Sequence, residues 1–255
     1  MYVISLLIAF FATLTGAIFG IGGGVIIKPA MEAALRLPLQ QINALSGVTV
    51  LCMAAVSLAR YVKSGEKLHA RMIWLSLGAV IGGFAGKFLF DLMHLAMPEG
   101  HAKIIQYALL ALLLAVALLK NKLKSFHIEH AAVLTLTGLL MGTLSAFLGI
   151  GGGPINLLAI YLVLNLDAKQ STVYSVFVIL FSQAASVGVS AATGGFGQLD
   201  MSPLYVMIPA AVAGGLLGPI LHRKWRLAVF ERYYSFLLVG LIVLNLYNII
   251  RIAMP

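Results

Sequence analysis

Residues 2–35 and 131–164 are each an almost unbroken apolar run of about 34 residues, a length that no single membrane span can use. As a straight helix such a run would extend roughly 50 Å, against a hydrocarbon core of ~30 Å. Both runs carry the same interruption, Gly20-Ile21-Gly22-Gly23-Gly24 and Gly149-Ile150-Gly151-Gly152-Gly153. Consecutive glycines are poor helix residues, so the chain breaks two otherwise good helices at matching places. Six further apolar stretches, 44–62, 72–90, 104–119, 173–192, 204–221 and 233–250, have the ~20-residue length of one span. Only 10% of the residues are charged, where a soluble domain carries about 25%. The expected fold is therefore all-α, a polytopic membrane protein.

The two glycine phrases belong to a longer duplication. Aligning 20–46 with 149–175 without a gap gives 11 identities in 27 positions, among them Gln41 with Gln170 and Ser46 with Ser175. The register holds as far as Ser57 with Ser186, and after a short insertion Gly82-Gly83-Phe84-Ala85-Gly86 matches Gly214-Gly215-Leu216-Leu217-Gly218. The chain divides into a first transmembrane repeat over 1–125 and a second over 126–255, each of four segments with the first one broken.

Charge placement bears on orientation. If every segment crosses the bilayer, the repeats are parallel and Lys plus Arg divide eight to nine between the two sides. If each broken segment dips in and returns, the repeats are inverted. The 60–71, 120–124 and 223–232 loops and Lys169 then share one side with twelve positive charges. Lys28, Arg36, Lys87, Lys103 and Arg251 are left for the other. Twelve to five is the positive-inside bias of a membrane protein, so inverted repeats with both termini outside are expected. The net charge of +9 reads as bilayer orientation and not as nucleic-acid binding. Met1-Tyr2-Val3-Ile4 reads as the start of the first span, without the basic stretch of a signal peptide.

A helix that restarts after Gly24 or Gly153 exposes its first N–H groups without partners. Those donors and the helix dipole favour an anion, and interrupted spans at corresponding positions mark the binding site of many carriers. Gly22, Gly23, Gly24, Gly151, Gly152 and Gly153 are the leading substrate-binding candidates. Ser46, Ser57, Ser175 and Ser186, matched between the halves, are candidates for a hydroxyl-lined path. Asn156 falls in the first turn after the second break, and Gln41 and Gln170 stand just before the next helices, where capping competes with ligand contact. Packing explains Gly82, Gly83, Gly86, Gly214, Gly215 and Gly218 better, as small residues let helices approach closely in lipid. Lys28 is expected to reach the interface, and the six histidines, near loops and without metal-ligand spacing, are expected to be interfacial as well.

Seven of the eight acidic residues lie in or beside loops, and only Glu32 is near a broken segment. A cation carrier would place carboxylates within the spans. No HExxH helix, buried Asp pair, Ser–His pair or Walker motif is present. The lone Cys52 permits no intrachain disulfide. No catalytic residue, cofactor or metal site is therefore expected.

The doubled Gly-x-Gly-Gly-Gly segment with following Pro29 or Pro154, the eight apolar segments in two homologous halves and the length near 250 residues resemble the sulfite exporter TauE/SafE family of membrane permeases. The resemblance covers nearly the whole chain. It implies a multi-pass permease of a prokaryotic cytoplasmic membrane, carrying small sulfur-containing anions such as sulfite, sulfonates or sulfoacetate. Such a protein sits in a lipid bilayer, binds no nucleic acid, has no coupling ion assigned by the motif, and is compatible with a homo-oligomer. A passive anion channel and a membrane accessory protein without transport are the alternatives.

Overall fold

The computed structural model describes residues 1–120, 123–197 and 199–254. Lys122, counted above among the loop cations, lies outside them. The described residues form ten helices: α1 (Tyr2–Phe19), α2 (Gly24–Leu35), α3 (Leu39–Lys63), α4 (Ala70–Ala96), α5 (Glu99–Leu118), α6 (Ala131–Leu148), α7 (Gly153–Leu164), α8 (Ala168–Ala192), α9 (Leu204–Lys224) and α10 (Leu227–Ala253). Eight are long and apolar enough to cross a membrane. The other two, α2 and α7, have 12 residues each, about 18 Å and half the thickness of a bilayer core.

Cross-links sort the helix ends into two groups. At one end the Tyr2 hydroxyl donates to Ser202 Oγ (3.1 Å), Gln41 Nε2 to the Asp200 carbonyl (2.8 Å), the Leu39 amide to Glu99 (2.9 Å) and Arg251 to the Ala33 carbonyl (2.7 Å). At the other, Arg71 pairs with Glu129 and Lys120 with Glu231 (3.2 Å), Ser125 donates to Asn165 (2.7 Å), and Lys169 donates to the Trp225 carbonyl (2.9 Å). Thus α1 leaves the first end and α2 returns to it. The pair α6 and α7 leaves and returns to the second. Chain reversal is local: Gly23 lies against Ala12 and Thr13, and Gly16 against Gly22 and Gly23.

Glycine seams hold the spans together. Gly78, Gly82 and Gly86 of α4 interdigitate with Gly138 and Gly142 of α6, so closely that a Cβ at any of them would strike the facing backbone. Gly214 and Gly218 of α9 meet Thr13 and Ala17 of α1, while Gly83 and Gly215 lie against α8 and α3. Close backbone approach of this kind is what holds helices together in lipid, where burial of apolar surface supplies little.

The polar beginnings of two helices escape a hydropathy reading. Gln41, Asn43, Gln170 and Thr172 lie within the first turns of α3 and α8 and not before them. Asp167 is the N-cap of α8, accepting from the Gln170 amide at 2.8 Å, as a capping carboxylate does.

Candidate functional site

The glycine phrases end one helix and begin another. Gly20 (φ 69°) and Gly149 (φ 62°) close α1 and α6 in the left-handed conformation, the usual helix stop. The carbonyls orphaned there are bonded by side chains from other helices. Tyr61 donates to Ala17 (2.8 Å), His222 Nδ1 bonds the Ile18 carbonyl (2.8 Å), Thr172 donates to Phe19 (3.2 Å) and Ser175 to Gly20. At α6, Gln106 donates to Phe147 (2.8 Å) and Lys28 to Leu148 (2.6 Å). Lys28 also bonds Gln106 and is 1% exposed. It does not snorkel, because a buried helix C-terminus offers the ammonium better acceptors than the interface. His222, 3% exposed, departs from the interfacial expectation for the same reason.

The restarting helices differ. Neither α2 nor α7 has a side-chain cap. Among the described residues, no backbone or side-chain acceptor takes the amides of Gly22, Gly23, Gly24, Gly151, Gly152 or Gly153. All six residues are buried. Buried amides without acceptors are rare in folded proteins, so the donors of both loops stand available inside the protein.

The two loops touch. Gly22 lies against the Gly151 carbonyl and Gly24 against Ile150. Contacts cross between the halves in matched fashion: Gly20 packs on Thr172, and Gly149, 129 positions later, packs on Asn43, also 129 positions before Thr172. Val50 and Ile179 form another matched pair, seated on Gly151 and Gly152 respectively. Both are fully buried.

Polar cavities lie at the two ends of the molecule, and one of them reaches the second loop at Gly149. One of about 260 Å³ is lined by Asn43, Gly47, Lys87, Gly149, Gln183, Ser186 and Ser190 among others. The other, about 560 Å³, is lined by Lys67, Arg71, Lys169, Gln170, Tyr174 and Arg223 among others. Cations dominate the second, which suits collection of anions.

The candidate residues divide accordingly. Gly22 and Gly24 meet Gly151 and Ile150 across the plug where the loops touch, Gly153 packs on Val25 and the Asn156 amide lies over Gly152, whereas Gly23 faces Ala12 and Thr13 of α1. Ser186 faces the first cavity and Gln170 the second. Ser46 is buried and its hydroxyl has no partner. Ser57 donates to Gly215 (3.2 Å), Ser175 to Gly20 and Gln41 to Asp200, so these three tie backbone together. Two further groups border the cavities. The buried Asn43 Oδ1 and Gln183 Nε2 lack partners and border the first cavity, and Lys67, Arg71, Lys169 and Arg223 converge on the second. Asn43 carries a sequence signal, since its matched position holds the polar Thr172. The basic convergence carries none, since its members come from three separate segments.

Eight spanning helices around two half-length helices, whose uncapped starts meet inside a fold with polar cavities at its two ends, define a polytopic membrane transporter. The chain belongs to the sulfite exporter TauE/SafE family, whose profile matches residues 5–245. It is also similar to a probable membrane transporter protein of Haemophilus influenzae, 25% identical over 239 residues, covering 83% of this chain and 86% of that one.

Proposed function

We propose that this protein is a secondary transporter that carries a small sulfur-containing anion, such as sulfite, a sulfonate or sulfoacetate, across the cytoplasmic membrane of a prokaryote. The observation that carries the reading is the pair of buried glycine loops with unclaimed amides, in contact with each other, in a fold that has polar cavities at its two ends. Residues 1–125 and 126–255 are homologous repeats inserted in opposite orientation. The return of α2 and α7 to opposite ends supports this, as do the matched contacts of Gly20 and Gly149.

The basic cavity then faces the cytoplasm, where the positive-inside bias places it, and concentrates anions at its mouth. The loop amides hold the anionic group, Asn156 and Ser46 complete its hydrogen bonds, and Gln170 and Ser186 line the two approaches. Ser175 holds the first loop through Gly20, while Ser57 and Gln41 tie α3 to α9 and to the segment before it. Rocking of one repeat on the other exposes the site to one cavity at a time, and the loop contact at Gly22 and Gly151 closes the passage between turnovers. The family name and the name of the Haemophilus influenzae relative support transport.

Counterflow tests this. In proteoliposomes preloaded with unlabelled sulfite, uptake of labelled sulfite is expected to run several-fold faster than into empty vesicles. Flux indifferent to internal substrate would mean a channel, and absence of flux for every sulfur oxyanion tried would mean that the protein does not transport this class.

A further inference from the structure

Resting on the transporter reading, we infer that the cargo is a singly charged oxyanion that brings a hydrogen-bond donor of its own, and that Asn156 receives that donor. Hydrogen sulfite and hydroxy-substituted sulfonates have this chemistry; sulfate, disulfonates and the doubly charged sulfoacetate do not.

The charge follows from what the fold supplies. A helix start is worth about half an elementary positive charge, and two of them, at Gly24 and Gly153, meet at the plug. Neither loop contains a charged side chain. Besides the exposed His101, the ionisable groups on α2 and the first turns of α5 are Lys28, Glu32, Glu99 and Lys103, two of each sign. Lys103 pairs with Glu32 at 2.8 Å and with Glu99 at 3.2 Å. That set is neutral as a whole, and the C-terminal carbonyls of α1 and α6 in the same loops are already matched by side-chain donors, so the two helix starts remain, and together they balance about one negative charge. A second charge on the cargo would sit buried without compensation, which is costly.

The donor follows from Asn156. It is 0% exposed, and neither Nδ2 nor Oδ1 has a partner. Its Nδ2 lies over Gly152, at the start of α7. Leaving both ends of a buried carboxamide unpaired is costly, unless a ligand takes them. Nδ2 can donate to an anionic oxygen, as the loop amides do. Oδ1 only accepts, so it is matched by an O–H or N–H on the cargo. The first repeat has Ile27 at the corresponding position, fully buried among apolar residues. The carboxamide is therefore particular to one half of the site and gives the cargo a defined orientation.

The test uses counterflow of labelled sulfite by the full-length protein at one fixed pH, competed by isosteric pairs. Methanesulfonate and sulfate match in shape and differ in charge. 2-Hydroxyethanesulfonate and propanesulfonate differ in the hydroxyl. Methanesulfonate is expected to compete at least about tenfold better than sulfate, and 2-hydroxyethanesulfonate about tenfold better than propanesulfonate, the worth of one good hydrogen bond. In Asn156→Leu the preference for the hydroxyl is expected to vanish. Thermal stability is expected to be kept or raised, because an apolar isostere replaces an unpaired amide. Asn156→Asp is expected to weaken competition by every anion. Sulfate competing as well as methanesulfonate would overturn the single charge. A hydroxyl preference unchanged in Asn156→Leu, or a marked loss of stability in that variant, would overturn the role of Asn156. Absence of counterflow by any sulfur oxyanion would strike the transporter reading instead.

Discussion

Gly152→Ala is expected to lower anion flux to below about a hundredth of the parent rate while leaving a folded, monodisperse protein; misplacing a binding group by about 1 Å is enough for a loss of that size. Gly152 has φ 115°, a conformation that costs an L-residue about 1–3 kcal/mol. Relief of that strain turns the very peptides whose amides face the site. The added methyl would also run into the Asn156 amide and Ile179, displacing the side chain that completes the hydrogen-bonding set. Gly23 makes a useful contrast. Its φ of −58° suits any residue, and its nearest neighbours would stand 3.2 Å from a Cβ. Gly23→Ala is thus expected to reduce flux by a smaller factor. Gly188, in α8 with nothing within 4 Å of a Cβ, serves as control, and its alanine variant is expected to transport at the parent rate. Uptake by Gly152→Ala at the parent rate would contradict the role given to the second loop.

Gly138→Val is expected to cost folding and not transport alone. The α4–α6 seam is the longest stretch of backbone contact between helices, and Gly138 lies on Leu75, with Gly78 on Thr135 and Gly142 on Ala79 in alternation. A valine at one tooth of this seam separates the backbones over its length. Overpacking a close-fitted site costs about 1–3 kcal/mol and occasionally more, and in lipid the separated surfaces gain no compensating burial. A destabilisation of about 3 kcal/mol is expected, read as a fall in the melting temperature of the detergent-solubilised protein or as loss of its monodisperse peak. Gly240→Val, at a position with open space around it, is expected to leave both unchanged. Equal stability of the two variants would show that the seam yields more readily than its geometry indicates.

The broken spans were legible because two independent signals coincide in them. An apolar run too long for one crossing needs a break, and a glycine triplet supplies it. The packing glycines Gly82, Gly86, Gly214 and Gly218 were legible for a similar reason, a small-residue spacing inside ordinary spans. Polar residues were read less well. Lys28 and His222 both serve as caps on helix ends that are buried, and a cap is assigned by whatever helix lies opposite, which no local spacing reveals. Gln41, Ser57 and Ser175 looked like ligand groups by their matched positions, yet each meets a carbonyl from a distant segment. Asn156 stands apart: its place at the restart of α7 could be read directly, and its lack of a partner emerges only when every neighbour is in view.

The most direct measurement is the position of a bound anion. Crystals of the protein grown with selenite, an oxyanion whose selenium scatters anomalously, are expected to show a peak within hydrogen-bonding distance of the Gly151–Gly153 amides and of Asn156, with Gly22 moved away from Gly151 to admit it. A peak confined to the basic cavity beside Lys67 and Arg223, with the two glycine loops still in contact, would contradict a binding site built from their amides.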